Sequence, residues 1–267
     1  MHRGWPGADR SCSPLMHEDK EYVMTIPTRF TRSMLALTAF ASMLVPLAAQ
    51  AQFDTQSQPQ AGSYPGWLQQ YDVSYFTVLS AAAGTRGAVT CTDSTIMGNV
   101  GSSGARPAVV KTRCSISGQI VAPVTPTVLA QFNNEFDKIG NKTCQKQLAG
   151  TLAGLVLKPG VYCFPASASL TGTVTLDGPA FGVWVIKVNG ALTGKSFSMV
   201  MAGNGKPCNV YLESVGATTM TSSNAKGNIF AGQAITMTGG SFVGRAFAKK
   251  AVTMTDIATT GCFKLQQ

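Results

Sequence analysis

The sequence is short of histidine and of charge, and each shortage excludes a class of chemistry. The 267 residues contain two histidines, at positions 2 and 17, and only 12% are charged. Both histidines precede an apolar segment that we predict to be an export signal. Once that segment is removed, the mature chain has no histidine. Hydrolases with a catalytic histidine are then excluded, as are histidine-ligated metal sites.

Residues 24–51 have the three parts of a secretory signal peptide. Two arginines form its basic start, an apolar run follows, and Ala49-Gln50-Ala51 gives a cleavage pattern of small residues. A transmembrane anchor is disfavoured because the run is shorter than the roughly 20 residues that a span needs, and Pro46 interrupts it. We therefore predict a secreted protein, extracellular or periplasmic, that is cleaved near Ala51 and has no stable membrane insertion.

The remaining organisation is predicted from composition. Met24 is the expected start of translation, so that residues 1–23 are an extension of the gene model. Residues 52–66 are rich in Gln, Pro and Gly and are expected to form a flexible leader. Residues 67–267 have the length of one large domain. We expect this domain to act as a monomer.

The mature chain is basic, but the basic residues are scattered. Removing residues 1–51, with five basic and four acidic residues, leaves 16 basic and 8 acidic, a net charge of +8. A basic balance can indicate nucleic acid binding. Here Lys249-Lys250 is the one adjacent basic pair, and the chain shows no platform of interleaved aromatic and basic residues. We therefore expect no nucleic-acid partner and assign the charge to solubility.

The acidic residues do not form an enzyme-like pattern. A polysaccharide lyase or hydrolase needs paired carboxylates or a carboxylate–metal cluster. The eight acids of the mature chain form neither a DxD motif nor a recurring acidic column. Glu135 and Asp137, which share a helix surface, are expected to be solvated. We therefore predict no enzyme activity, no cofactor and no metal.

Six cysteines remain in the mature chain, and an even number in an exported protein indicates disulfides. No CxxC spacing is present, which disfavours a zinc site or a thioredoxin-type centre. Six cysteines allow 15 connectivities. We predict the pair Cys144–Cys163, which would join a helix exit to the next strand. The pairing of the others stays open: Cys91, Cys114, Cys208 and Cys262.

One helix is predicted among many short strand-like runs. Thr125 is suited to the N-cap and Pro126 to the first helical position. A single apolar stripe follows at spacings of three and four residues, and Gly140 is the expected end. This helix should lie along a larger body. The stripe consists of Leu129, Phe132, Phe136 and Ile139.

After the helix the sequence repeats with a period of 17. Residues 227–243 read GNIFAGQAITMTGGSFV, and residues 244–260 read GRAFAKKAVTMTDIATT. The preceding block, 208–226, carries the same TMT, and looser copies lie at 161–176 and 183–193. A period of 17 to about 20 is too short for repeats of paired helices and suits one coil of a β-solenoid.

The second strand of each repeat alternates apolar residues with threonine. Alternation places the apolar set inside and the threonines outside, and equivalent positions of stacked coils lie about 4.7–4.9 Å apart. The outcome is a flat, uncharged grid of methyls and hydroxyls, whereas an ordinary solvated face mixes charges. The apolar set is Val174, Met220, Ile235, Met237, Val252 and Met254.

Four pieces of the chain, taken together and in this order, resemble the bacterial and fungal ice-binding protein family. They are YFTVLSAAAGTRGAVTCTDSTIMGNVG, LAGLVLKPGVYCF, VTLDGPAFGVWVIKVNGALT, and CNVYLE with the two 17-residue repeats. The resemblance runs from about Tyr75 to Cys262. It implies a discontinuous, right-handed β-solenoid of triangular cross-section, dominated by β-structure, with one long α-helix packed alongside. It also implies that the first coil stacks beside the last, with Ala88–Thr90 next to Ala251–Thr253.

The resemblance implies that the grid binds ice, which makes the ice crystal surface the expected partner. The alternative from the sequence is an adhesion or envelope-surface module that uses the same scaffold without strong ice binding. Thr92 is a further candidate beside Thr90. The expected ice-binding residues are Thr90, Thr173, Thr175, Thr193, Thr219, Thr221, Thr236, Thr238, Thr253 and Thr255.

Overall fold

A computed structural model describes residues 72–262. The predicted extension (1–23), signal peptide (24–51), leader (52–66) and first residues of the domain lie outside this part. The described part is mostly β-structure with one α-helix, α1 (Pro126–Gly140), as expected. The strands are β1 (Phe76–Ser80), β2 (Val89–Thr92), β3 (Thr95–Met97), β4 (Asn99–Ser102), β5 (Val109–Thr112), β6 (Ser115–Ile116), β7 (Ile120–Val121), β8 (Lys146–Gln147), β9 (Val156–Leu157), β10 (Gly160–Phe164), β11 (Ala168–Gly178), β12 (Trp184–Val188), β13 (Leu192–Gly203), β14 (Val210–Ser214), β15 (Thr218–Ala231), β16 (Ile235–Ala248), β17 (Val252–Thr255) and β18 (Ala258–Thr260).

The strands of this part pair in parallel and form three ladders. We call one pass of the chain through the three a coil. The helix ladder runs in the order β8, β10, β12, β14, 228–231, 245–248, β1, β4, β7. The threonine ladder runs in the order 168–170, 192–195, 218–221, 235–238, β17, β2, β5. The third ladder runs in the order β9, 173–178, 198–203, 224–226, 241–243, β18, β3, β6.

The first coils of the chain stack on the last one. Strand β1 lies between β16 and β4, and β2 pairs with β17 in the register Val252↔Val89 and Thr253↔Thr90. This confirms the neighbours that the family resemblance implies. Because the chain must then reach the opposite end of the stack, α1 leads from β7 to β8, which are the two outermost strands of the helix ladder.

The interior between the ladders is filled by the apolar half of each alternating strand. Met220, Met237 and Met254 stack in one column of the threonine ladder, and each is buried. The other predicted inward residues are buried too: Val174, Ile235 and Val252. The 17-residue period is also confirmed, since Gly227 pairs with Gly244. A Cβ on Gly244 would lie 1.8 Å from the carbonyl oxygen of Gly227, so this corner accepts only glycine.

Helix α1 packs on the outer side of the helix ladder. The hydroxyl oxygen of Thr125 accepts a hydrogen bond from the Val128 N–H, which confirms the predicted N-cap. Phe132, Phe136 and Ile139 are buried, whereas Leu129 is only half-buried and Val128 takes its place. The predicted stripe is therefore right except at that position.

The last residue of α1 lies close to a carboxyl group of the helix ladder. Gly140 is the last helical residue, and Asn141 is the C-cap. A Cβ on Gly140 would lie 3.0 Å from Oε1 of Glu213 on the helix ladder. A larger residue at position 140 would therefore require the Glu213 side chain to shift by a few tenths of an ångström.

Three disulfides join coils of the stack. The predicted pair Cys144–Cys163 is confirmed, with a Cα–Cα distance of 5.9 Å, and joins the segment after α1 to β10. Cys91–Cys114 joins the two coils formed by β2 and β5. Cys208–Cys262 joins the last described residue to the turn just before β14.

Candidate ice-contacting face

The outer side of the threonine ladder carries two columns of side chains. In the first column the register aligns Thr219, Thr236, Thr253 and Thr90. In the second column it aligns Thr221, Thr238, Thr255 and Thr92. We call these eight residues the threonine block. With coils about 4.8 Å apart and alternate residues about 6.6 Å apart, the block covers about 14 Å by 7 Å.

The backbones of the threonines in the block are held by the ladder, and their side-chain hydroxyls have no hydrogen-bond partner in the described residues. The residues that alternate with them on the inner side are buried methionine, cysteine, valine, isoleucine and threonine side chains. No residue within 72–262 hydrogen-bonds to the eight hydroxyl groups. Each threonine is half-buried or exposed. The block therefore presents a methyl and an unpaired hydroxyl at every lattice position.

The columns continue beyond the block, but with interruptions. Thr193 extends the first column by one coil, and in the same coil Lys195 stands in the second column. At the opposite end, β5 contributes Val110 to the first column and Thr112 to the second. The sequence pattern does not predict Thr112 as part of this face. Its strand, VVKT, contains only one threonine, and Lys111 occupies the position that is apolar in the other coils.

Two predicted residues lie on a different face. Thr173 and Thr175 belong to the third ladder, where they align with Ser198 and Val200. The TVT of this copy was matched to the TMT of the later repeats, but the chain turns at Gly172 (φ +65°) before it. The part of this coil in the threonine ladder is residues 168–170, whose outward residue, Ser169, pairs with Thr193. The assignment of Thr173 and Thr175 to the threonine grid is therefore corrected.

Charged groups lie beside the second threonine column, where the chain turns towards the third ladder. Asp93 and Asp256, both with positive φ, follow the second threonine of their strands. Arg113 donates two hydrogen bonds to the carboxylate of Asp93, one of them at 2.7 Å from Nη2 to Oδ2. This hydrogen bonding by Arg113 lowers the pKa of Asp93 below its ordinary value. The charges therefore lie beside the block and not within it.

The helix ladder carries the most deeply buried carboxyl group of the described part. Glu213 lies under the last turn of α1, and Lys187, Lys249 and Asp137 are near it. Burial raises the pKa of Glu213, with the two lysines acting in the opposite direction. In the described residues no group of three or more His, Cys, Asp or Glu side chains converges on a metal-sized site.

The chain matches the family described as Ice-binding-like over residues 79–260, and it belongs to that family. It is 31% identical over 206 residues to an ice-binding protein of Nostoc sp. (strain HG1), an alignment covering 74% of this chain and 72% of the relative. It is 28% identical over 205 residues to an ice-binding protein of Flavobacterium frigoris (strain PS1), covering 69% of this chain and 74% of the relative.

A solved structure shares the fold. The ice-binding protein of the Antarctic ascomycete Antarctomyces psychrotrophicus superposes with a TM-score of 0.63 at 26% identity, covering 70% of this chain and 95% of that one. Within residues 72–262 the chain has no helix that is both long and apolar enough to cross a membrane.

Proposed function

We propose that the protein is exported and adsorbs to ice through the threonine block, and that it thereby limits ice growth and recrystallisation. The observation that supports this most directly is the register of eight outward threonines over four coils, with no charged side chain among them. Family membership supports ice as the partner. The three disulfides agree with a protein that functions outside the cytoplasm.

The proposal includes the finer architecture that the family resemblance implies. In it, the three ladders are the sides of a right-handed β-solenoid of triangular cross-section, and α1 covers one side. Export follows cleavage near Ala51, and the mature domain acts as a monomer without a catalytic site. The working residues are the eight threonines of the block, with Thr193 and Thr112 at its ends. Thr173 and Thr175 are not included, because they lie in the third ladder and not in the threonine ladder.

The mechanism follows from the regular spacing and the chemistry of threonine. Each methyl leaves neighbouring water without a strong partner on the protein, while each hydroxyl can hold one water molecule by a hydrogen bond. Rows about 4.8 Å apart repeat this arrangement, so the water over the block is ordered in two directions. When this layer joins a growing crystal plane, the protein stays adsorbed and local growth stops.

Affinity on such a surface comes from many weak contacts, so the rigidity of the surface matters. A surface that is already ordered in the free protein loses little conformational entropy on binding. The block has this property, since its strands pair on both sides and its inner residues are packed.

The test is a bulky substitution in the middle of the block with a matched substitution elsewhere. Thr236→Tyr would lift the ice lattice from the neighbouring threonines and should abolish thermal hysteresis. Thr173→Tyr puts the same ring on an exposed threonine of the third ladder and should leave hysteresis at the wild-type level. Both variants are checked by circular dichroism at 0 °C. A folded wild-type chain without any hysteresis would contradict the proposal and favour a scaffold or adhesion role.

A further inference from the structure

Two buried serines occupy the same place in two different coils, at the corner between the threonine ladder and the third ladder. Ser223 follows Thr221 and Ser222, and Ser94 follows Thr92 and Asp93. Both serines are almost fully buried, with 2% and 6% of their surface exposed. In each coil the residue between the threonine and the serine has a positive φ, 48° at Ser222 and 49° at Asp93. The chain therefore turns within one residue.

Each serine hydroxyl makes the same pair of hydrogen bonds. Oγ of Ser223 donates to the carbonyl oxygen of Thr221 at 2.9 Å and accepts the N–H of Phe197 at 3.2 Å. Phe197 belongs to the adjoining coil, where it follows another positive-φ residue. The hydroxyl thus fastens the end of one threonine strand to the corner of its neighbour.

The second serine repeats this arrangement 129 positions earlier in the chain. Oγ of Ser94 donates to the carbonyl oxygen of Thr92 at 2.6 Å and accepts the N–H of Ile257 at 3.1 Å. Ile257 follows Asp256, the positive-φ residue of the adjoining coil. This bond therefore lies at the junction where the first coil of the chain stacks on the last one.

The two N–H groups need such a partner for a general reason. At a corner the backbone leaves the strand direction, so the N–H cannot join the ladder in the regular way, and a buried N–H without an acceptor is destabilising. The serine oxygen supplies the acceptor and also fixes the peptide group that follows the outward threonine. The direction of that threonine side chain depends on this peptide.

We propose that Ser94 and Ser223 are positioning residues for ice adsorption, which hold the second threonine column flat and in register across adjoining coils. This inference rests on the proposed function of the threonine block. Neither serine contacts ice, because both hydroxyls are buried beneath the corner and used within the protein. Their effect is on the orientation of Thr92 and Thr221 and on the spacing between each of these coils and the adjoining coil to which the serine is hydrogen-bonded.

The experiment compares the double variant S94A/S223A with S103A. Ser103 is buried and has the same bonding pattern, since its Oγ donates to Ala82 O at 2.8 Å and accepts the Gly87 N–H at 3.0 Å. It holds the segment before β2 and no threonine carbonyl. Both variants should lose a few degrees in Tm. At 0 °C, where both are folded, only S94A/S223A should need about fivefold more protein to inhibit ice recrystallisation, as about 1 kcal/mol of lost preorganisation implies.

Two further measurements separate positioning from a merely structural role. S223T keeps the hydroxyl and should inhibit recrystallisation at the wild-type concentration, whereas S223A should need more protein for the same inhibition. Amide hydrogen exchange should show lost protection at Phe197 in S223A and at Ile257 in S94A, with the interior of the strands unchanged. This readout does not depend on activity.

The outcomes distinguish the inference from the proposed function. If the wild type inhibits recrystallisation and S94A/S223A inhibits it equally well, the positioning role is wrong and the function of the threonine block stands. If S103A loses as much activity as S94A/S223A, the effect is general loss of rigidity and the inference is overturned. If wild type itself is inactive while folded, the proposed function fails first.

Discussion

The helix ladder and the threonine ladder belong to the same stack of coils, but their outer sides have opposite properties. The outer side of the helix ladder is covered by α1 and packed with aromatic rings, such as Phe132 stacked 6.2 Å from Phe230. Within residues 72–262 no segment covers the outer side of the threonine ladder, whose block is regular and holds no charged side chain. The first therefore serves stability, whereas the second is the side that we propose to contact a crystal.

The two sides also differ in how regularly the same residue recurs from coil to coil. The helix side is irregular, since one column of equivalent positions on it holds Lys187, Glu213, Phe230, Phe247 and Leu79. The threonine side repeats one residue from coil to coil, as the proposed contact with a crystal lattice requires. Substitutions on the helix side should then change the free energy of unfolding without changing ice adsorption by the folded protein, and substitutions in the threonine block should do the reverse.

The largest expected effect on stability is that of Phe132→Ala. This ring is fully buried and contacts Phe136, Phe230 and Phe247. Its removal should lower the free energy of unfolding by about 3–5 kcal/mol, measured by urea denaturation. Hysteresis per folded molecule at 0 °C should stay at the wild-type level. A loss of hysteresis in the folded variant would show that the two sides are coupled.

A smaller effect is expected when the disulfide Cys144–Cys163 is removed by the double substitution to serine. The bond closes a short loop of 19 residues between the helix exit and β10. Its loss should lower the free energy of unfolding by about 3 kcal/mol, chiefly through the unfolded chain. Ice adsorption should persist, because the disulfide lies at the helix ladder and the threonine block lies on the threonine ladder. Equal stability in the presence and absence of the bond would contradict its proposed role at the helix end.

The substitution Glu213→Gln tests the buried carboxyl group under α1. Because burial raises the pKa of Glu213, the folded chain holds its proton more tightly than the unfolded chain does. The contribution of this group to stability is therefore complete below the ordinary pKa of glutamic acid and is lost as the pH rises through the raised value. E213Q should be more stable than wild type at neutral pH, with the difference shrinking towards low pH. Thermal unfolding of both chains from pH 3 to 8 measures this difference.

The smallest effect is expected for Lys195→Thr, which extends the second threonine column by one coil. Lys195 is exposed, so stability should change by no more than about 0.5 kcal/mol. Hysteresis should rise modestly, since the row of Thr193 and residue 195 would match the rows of the block. A matched control is Lys250→Thr, which removes the same charge outside the columns. An equal rise in both variants would point to net charge as the cause.

Much of this fold can be predicted from local patterns in the sequence. The N-cap at Thr125 and the 17-residue period predicted the helix and the threonine strands, because each depends on residues close together in the chain. The pair Cys144–Cys163 was accessible for the same reason. The stacking of β2 on β17 joins residues more than 160 positions apart, and only the family resemblance implied it.

The errors and omissions have a common physical cause, since they lie at corners and at the ends of ladders. Whether TVT at 173–175 lies before or after a turn depends on the conformation of Gly172, which alternation does not reveal. Thr112 lies in an edge strand, where burial no longer selects apolar inner residues. The pairing Cys208–Cys262 depends on where the last coil leaves the stack, and no local pattern records that point.

The most direct test of the account is the uptake of labelled protein into a slowly growing ice hemisphere. The wild-type mature chain (residues 52–267) and Thr173→Tyr should enter the ice to the same extent, whereas Thr236→Tyr should be excluded and remain in the liquid. Uptake of folded Thr236→Tyr together with exclusion of Thr173→Tyr would contradict the account and assign ice contact to the third ladder.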